Sequence, residues 1–201
     1  MAKKEILFYG SRGHDQLTAS GVRDPGAVSG KFVEAELVKV VTAAWRDELL
    51  RLRENRKFKV AYPERTRKGM HIWEHLKEVI QYRLRFRTVC IDVHANTGGG
   101  IGSECHIPNN KYARKLAEFI LEEMEAIGRP WHSWNGTMDA AIHVNPKLLF
   151  LQIPGPTLLF EIGYLDNKTD RKDFDTDKEL KEIGKAIARA CIRYYDWVEG
   201  K

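Results

Sequence analysis

The sequence predicts an α/β layered fold on a largely parallel sheet. Short apolar runs rich in β-forming residues alternate with amphipathic segments of ten or more residues, the order produced by parallel strands and their crossover helices. Its 201 residues are enough to bury a sizeable core and lie within the range of one domain. No internal repeat, low-complexity tract or linker divides them, so residues 1–201 are read as a single domain.

Each element follows from local chemistry. Residues 6–9 are four consecutive apolar positions and read as a strand, stopped by Gly10. Residues 15–31 are polar and glycine-bearing, with Asp24, Pro25 and Gly26 as a turn signal. From 32 to about 54 the pattern is helical: Val33, Leu37, Val40, Val41, Ala44 and Leu49 fall mostly three and four apart. Residues 57–62 read as a second strand, ended by Pro63, and 71–82 as a helix. Residues 88–93, apolar except for Thr88 and Asp92, read as a buried third strand. Residues 110–127 form an amphipathic helix closed by Gly128 and Pro130. Two further strands are expected at 148–152 and 157–162, separated by Pro154, Gly155 and Pro156, and a last helix at 177–198.

Composition excludes several classes. Charged residues make up 30% and hydrophobic residues 43%, the balance of a soluble globular chain. No run approaches the length of a membrane span, so no membrane insertion is expected. The first residues carry no apolar stretch long enough for a signal peptide, so synthesis in the cytoplasm without one is expected. The net charge of +5 permits attraction to polyanions but selects none, and solvated helix faces explain it equally well. No nucleic-acid-binding module is visible, and charge alone gives only non-specific affinity. Cys90, Cys105 and Cys191 form no CxxC pair, which argues against a disulfide framework or a cysteine zinc knuckle. Cys90 and Cys191 read as core thiols.

Ligands of parallel α/β sheets sit beyond the carboxyl ends of the strands. Past the first strand comes His14, and past the third come His94 and Asn96. Glu161 closes the last strand, and Glu34 opens the first long helix near the same edge. Two histidines and two carboxylates suit a catalytic zinc site, which takes three His or Asp/Glu ligands and keeps a position for water. A further carboxylate can accept that water's proton and pass it to a leaving amine. Each residue also has a plain structural reading: His14 in a turn, Glu34 favouring a helix dipole, Glu161 paired with a lysine. Two other patterns compete. His71, Glu74 and His75 match H-x-x-E-H, a short pattern that ordinary helices also produce. Gly98 to Gly102 follow a strand, but no helix opens in the glycines as a phosphate loop requires, so a flexible rim loop is expected.

These residues resemble the third family of zinc-dependent N-acetylmuramoyl-L-alanine amidases. The motifs stand in the family's order: Gly13-His14; Gly26-Ala27 followed by Glu34; His94-Ala95-Asn96; and Glu161-Ile162-Gly163-Tyr164 followed by Asn167. The resemblance spans almost the whole chain. It implies Zn2+ on His14, Glu34 and His94, with Glu161 as the catalytic carboxylate. It implies a twisted, mostly parallel six-stranded sheet flanked by helices. The implied partner is bacterial peptidoglycan, cut at the amide joining N-acetylmuramic acid to L-alanine of the stem peptide. The chain departs from the family at Ser11-Arg12-Gly13-His14-Asp15, where Asp-Pro-Gly-His-Gly-Gly is usual, and at Tyr164, where Phe is usual. The Ser-Arg-Gly-His form is similar to catalytic domains of phage endolysins, which act on the cell wall after release. A monomer is expected.

Asn96, Glu104, Trp134 and Asn135 are candidate substrate-binding residues, with Trp131 as a further candidate groove lining. Asp92 and Asn96 are candidates for supporting a zinc ligand. Two rivals remain. A zinc carboxypeptidase or endopeptidase acting on wall peptides would cut a different bond. A non-catalytic binder of anionic polymer would hold no metal.

Overall fold

The computed structural model describes residues 4–18, 20–62, 72–129, 131–132 and 135–201. In chain order its elements are β1 (Ile6–Arg12), β2 (Val28–Ser29), β3 (Phe32–Val33), α1 (Glu34–Arg51), β4 (Phe58–Ala61), α2 (Ile72–Arg85), β5 (Arg87–Asn96), β6 (Glu104–Ile107), α3 (Lys111–Ala126), β7 (Ile142–Val144), β8 (Thr157–Tyr164), α4 (Lys168–Lys172) and α5 (Asp177–Glu199). Six strands make the main sheet in the order β4-β1-β5-β8-β6-β7. Pairing is parallel except where β6 runs antiparallel to β8. β2 and β3 form a separate two-stranded hairpin.

Strand alternation explains the two layers. On β5, Val89, Ile91 and Val93 face a core shared with α1, α3 and α5, while Cys90 faces a smaller core with Leu76 and Val79 of α2. Both faces of the central strands are therefore covered, which is why consecutive residues Val89, Cys90 and Ile91 of β5 are all apolar. Trp45 of α1 anchors the larger core, buried to 2% exposure, with its indole N–H donating to Cys191 Sγ on α5 at 3.4 Å. Burying a Val, Leu, Ile, Phe or Met side chain stabilises by about 1.5–3 kcal/mol. Local caps agree with the long-range packing. Asn110 Oδ1 accepts from the backbone N–H groups of Tyr112 and Ala113 at the start of α3. Gly200, at a φ of 70°, closes α5 in the left-handed conformation.

Several expectations need correction. Residues 148–152 are not a strand: Leu149–Gln152 is a 3-10 helix. Phe150 and Leu151 are both buried against Tyr9 and Leu159, and a tight turn can bury two consecutive side chains on one side where a strand alternates them. The missing sheet members are β6 and β7, at four and three residues too short to show a period. β1 continues to Arg12, because Gly10, Ser11 and Arg12 stay in register with Ile91, Asp92 and Val93. The first helix begins at Glu34, since Phe32 and Val33 belong to the hairpin. All three cysteines are free and buried. Among the described residues no helix is long and apolar enough to cross a membrane.

Candidate metal centre

Three elements bring His14, Glu34 and His94 together. His14 lies in the loop leaving β1, Glu34 is the first residue of α1, and His94 lies near the end of β5. Their candidate ligand atoms all fall within 4.8 Å of one another. Glu34 is only 3% exposed. Its Oε2 lies 3.4 Å from His14 Nε2 and its Oε1 3.1 Å from His94 Nδ1. The carboxylate is aimed by two backbone donors, Ala27 N–H to Oε2 at 2.8 Å and Ala95 N–H to Oε1 at 3.0 Å.

Each histidine is held from its far side by a carboxylate. His14 Nδ1 meets Asp24 Oδ2 at 2.8 Å, and His94 Nε2 meets Asp92 Oδ2 at 3.2 Å. This leaves His14 Nε2 and His94 Nδ1 turned toward Glu34, the arrangement that fixes tautomer and ring orientation in zinc sites. Asp24 is itself placed by the turn, where Oδ1 accepts the Gly26 N–H at 3.0 Å.

Close approach explains two glycines. A Cβ on Gly13 would lie 1.8 Å from His94 Cε1. Gly26 has a φ of +67°, and its Cβ would lie 2.5 Å from Glu34 Oε2. The unusual loop sequence also has a structural account. The Arg12 guanidinium pairs with Asp15 at 3.0 Å, both side chains almost fully buried, and Arg23 joins the same carboxylate. Gly13 N–H donates to Val93 O and Asp15 N–H to Asp24 O, which stitches the His14 loop to β5 and to the turn.

The electrostatics favour a cation. Burial pulls the His94 imidazolium toward neutrality, but Asp92, Glu34 and Glu161 outweigh it and hold its pKa up at about 10. Burial pushes Glu34 up, and the two histidines outweigh that and leave it below its ordinary value. The free protein therefore keeps a proton where a metal ion would put its charge. The donor set fits Zn2+: His, His and carboxylate are its usual partners, and its bond lengths of about 2.0–2.1 Å in a tetrahedron give ligand separations of about 3.3 Å. The spacings of 3.4 and 3.1 Å around Glu34 match.

Glu161 stands beside this group. It is directly across from His94 in the β5–β8 register and across from Glu104 in the β8–β6 register. Its Oε2 is buried with no hydrogen-bond partner among the described residues. Burial first, then the Glu34 and Glu104 carboxylates, raise its pKa to about 7 against the opposing charge of His94 and His106.

The other expected residues take separate places. Asn96 donates its Nδ2–H to Glu104 Oε1 at 2.6 Å and accepts the Thr97 N–H. Glu104 also faces His143 Nε2 at 3.2 Å and His106 Nε2 at 3.5 Å. Asn135 is exposed, and its Oδ1 caps a local turn by accepting from Thr137 N–H and Oγ1–H. Trp131 bridges to Ser103 and packs on the larger core. Trp134 lies outside the described residues, as do the His71 and His75 side chains. The glycine loop is tied down: Gly98 and Gly99 N–H donate to Asp166, Gly102 N–H to Asp170, and Gly100 O accepts from Asn167. Sequence reasoning missed Asp24 as a partner of His14. The signal was its place in the Asp-Pro-Gly turn before Glu34. It also missed His106 and His143, because the strands that carry them were not seen.

Residues 12–193 match a protein family described as N-acetylmuramoyl-L-alanine amidase. An uncharacterized cell wall amidase of Bacillus anthracis is 23% identical over 144 residues, 66% of this chain and 26% of that protein. The match thus spans about a quarter of that relative's length. Three solved structures share the fold. The apo amidase Ami1 of Mycobacterium abscessus superposes with a TM-score of 0.75 at 17% identity, covering 96% of this chain and 99% of its own. The catalytic domain of the amidase CwlV from Bacillus (Paenibacillus) polymyxa gives 0.72 at 20%, covering 96% and 98%. The catalytic domain of the CD27L endolysin targeting Clostridia difficile gives 0.64 at 22%, covering 94% and 97%.

Proposed function

This chain belongs to the N-acetylmuramoyl-L-alanine amidase family, and from that premise we propose that it is an endolysin-like, zinc-dependent peptidoglycan hydrolase. The bond cut is the amide between the lactyl group of N-acetylmuramic acid and L-alanine of the stem peptide. The observation that carries the reading is the convergence of His14, Glu34 and His94 beside Glu161, a partly exposed carboxylate with one buried, unpartnered oxygen.

His14 Nε2, Glu34 and His94 Nδ1 would hold the ion, with Asp24 and Asp92 fixing the two rings. Bound Zn2+ supplies Lewis acidity: it polarises a carbonyl and brings a water's pKa to about 7. The remaining chemistry falls to Glu161. Its carboxylate accepts a proton from the attacking water, and the pKa of about 7 suits a group that must then release it. The same carboxyl protonates the alanine nitrogen as the C–N bond breaks, which an amide requires because its anion is a very poor leaving group. The buried setting keeps bulk water from Oε2 and strengthens each charge interaction there.

Digestion of purified cell walls, with mass analysis of the fragments, tests this. Released stem peptides should begin with alanine and leave unmodified muramic acid. Chelator should stop release and added zinc restore it. Fragments cut within the stem peptide would replace this reading with a peptidase.

A further inference from the structure

The end of the sheet opposite the metal centre carries a cavity that the reaction does not use. It measures about 490 Å³ and opens between the start of β5, the last turns of α2 and α5 and the first turn of α3. Val89 in its wall lies five residues before His94 along β5, about 17 Å away. The walls include apolar Val89 and Val198, the cations Arg83 and Arg87, and the rings of Tyr112 and Tyr194. No carboxylate lines it among the described residues.

The two arginines differ. Arg87 is already paired, with Nη2 donating to Glu199 and Nε to Lys4 O. Arg83 is partly buried and donates through Nη2 to Thr157 Oγ1 at 2.9 Å, a neutral acceptor that fixes the guanidinium plane. Arg83 has no carboxylate partner among the described residues. A guanidinium is always charged and weakly hydrated, and its fork matches a carboxylate, so one without a counter-charge in a cavity wall makes a place for an anion.

The lip of the cavity is aromatic. Tyr112 is 42% exposed and Trp197 43%. Trp197 packs on both lining tyrosines, with ring centroids 5.7 Å from Tyr112 and 5.9 Å from Tyr194. A pyranose presents C–H bonds polarised by their neighbouring oxygens, and these are attracted to the electron-rich faces of Trp and Tyr. An unpaired guanidinium beside exposed aromatic faces therefore suits a sugar that bears a carboxylate. Amide hydrolysis makes one: it leaves the lactyl group of muramic acid as a free carboxylate and alanine with a free amine.

Resting on the amidase reading above, we infer that this cavity binds the stripped glycan product, with the lactyl carboxylate on Arg83 and the sugar ring on the shelf of Tyr112 and Trp197. Uncut muramoyl peptide has no charge at the lactyl group, so the site favours wall that has already been cut. It retains the enzyme there.

Isotopically labelled, zinc-loaded protein is titrated with N-acetylmuramic acid, and NMR shifts are read at the Trp197 indole and the Tyr112 and Arg87 amides. Saturable shifts are expected at these residues. Binding should be about tenfold weaker or more for N-acetylglucosamine, which has the ring without the lactyl carboxylate, and for acetate, which has the carboxylate without the ring. Arg83→Gln keeps a donor for Thr157 and should weaken binding about tenfold. Tyr112→Ala, at an exposed position, should weaken it too, and decides the matter if the Arg83 variant does not fold. Shifts confined to the metal centre, equal affinity for either fragment, or unchanged affinity in the variants would overturn the inference. Wall digestion separates it from the reading it rests on: a protein that binds N-acetylmuramic acid here but frees no alanine-ended peptides would overturn the amidase reading, and with it this ligand's place as product.

Discussion

Replacing Asp92 with Asn should weaken zinc binding more than replacing Asp24 with Asn. Both carboxylates hold the outward nitrogen of a ligand histidine, at 3.2 Å for Asp92 and 2.8 Å for Asp24. Distance alone would rank Asp24 higher. Burial reverses the order, since Asp92 is 4% exposed and the Asp24 side chain 29%. Screening by water discounts the more exposed pair, whereas the buried one keeps more of its electrostatic weight. Loss of such a partner lowers metal affinity by about 10–100-fold, or roughly 1.4–2.7 kcal/mol. Asp92→Asn belongs at the upper end of that range and Asp24→Asn at the lower. Competition against a fluorescent zinc chelator at fixed pH measures both, with stoichiometry checked by elemental analysis. Wild-type affinity in Asp92→Asn, or a larger loss in Asp24→Asn, would refute the assignment of these carboxylates.

Three other outcomes follow from the same geometry. Glu161→Gln should retain about one zinc and lose about 10²–10⁴-fold in kcat on soluble muramoyl peptides; near-normal turnover would remove Glu161 from the reaction. Gly13→Ala should abolish zinc binding while the fold survives, because its Cβ would lie 1.8 Å from His94 Cε1; calorimetric zinc titration with circular dichroism reads both. The metal-free protein should lose stability as pH rises: His94 has its pKa raised from 6.5 to about 10, so its contribution is whole below 6.5 and fades as pH climbs through about 10. Thermal melts of chelated protein at pH 6, 8 and 10 should show that decline, and a flat midpoint would contradict it.

Much of this was legible in the sequence because strand ends and glycines carry local signals. His94 follows an apolar run, and Glu161 closes another, so both were placed at the sheet rim before any contact was known. The misplacement at 148–152 has a physical cause. Leu148, Leu149, Phe150 and Leu151 are continuously apolar, and a buried 3-10 turn and a buried strand share that signature. The omission of β6 has the opposite cause. Glu104, Cys105, His106 and Ile107 alternate polar and apolar over only four residues, beside glycines that read as loop. Asp92 was already a candidate support from its place in β5, but Asp24 was missed and neither pairing was fixed, for a third reason: which carboxylate meets which imidazole is set by how the turn folds onto β5.

The division of labour between sheet and loops bears on what should tolerate change. His94, Glu161 and Glu104 lie in one row across three neighbouring strands, so the sheet ladder fixes their mutual spacing. His14 and Glu34 come from outside that ladder, and their placement depends on the turn through Asp24, Gly26 and Ala27. The Arg12–Asp15 pair adds a second tether to the same loop. Without Arg12 the buried Asp15 carboxylate is left to Arg23, a half-exposed side chain. Arg12→Met should therefore loosen His14 while the Glu161 row stays in place. The mutant should show weakened zinc affinity, yet a near-normal kcat once saturated with zinc. A matching loss in kcat at saturating zinc would show that the loop and the row are mechanically coupled.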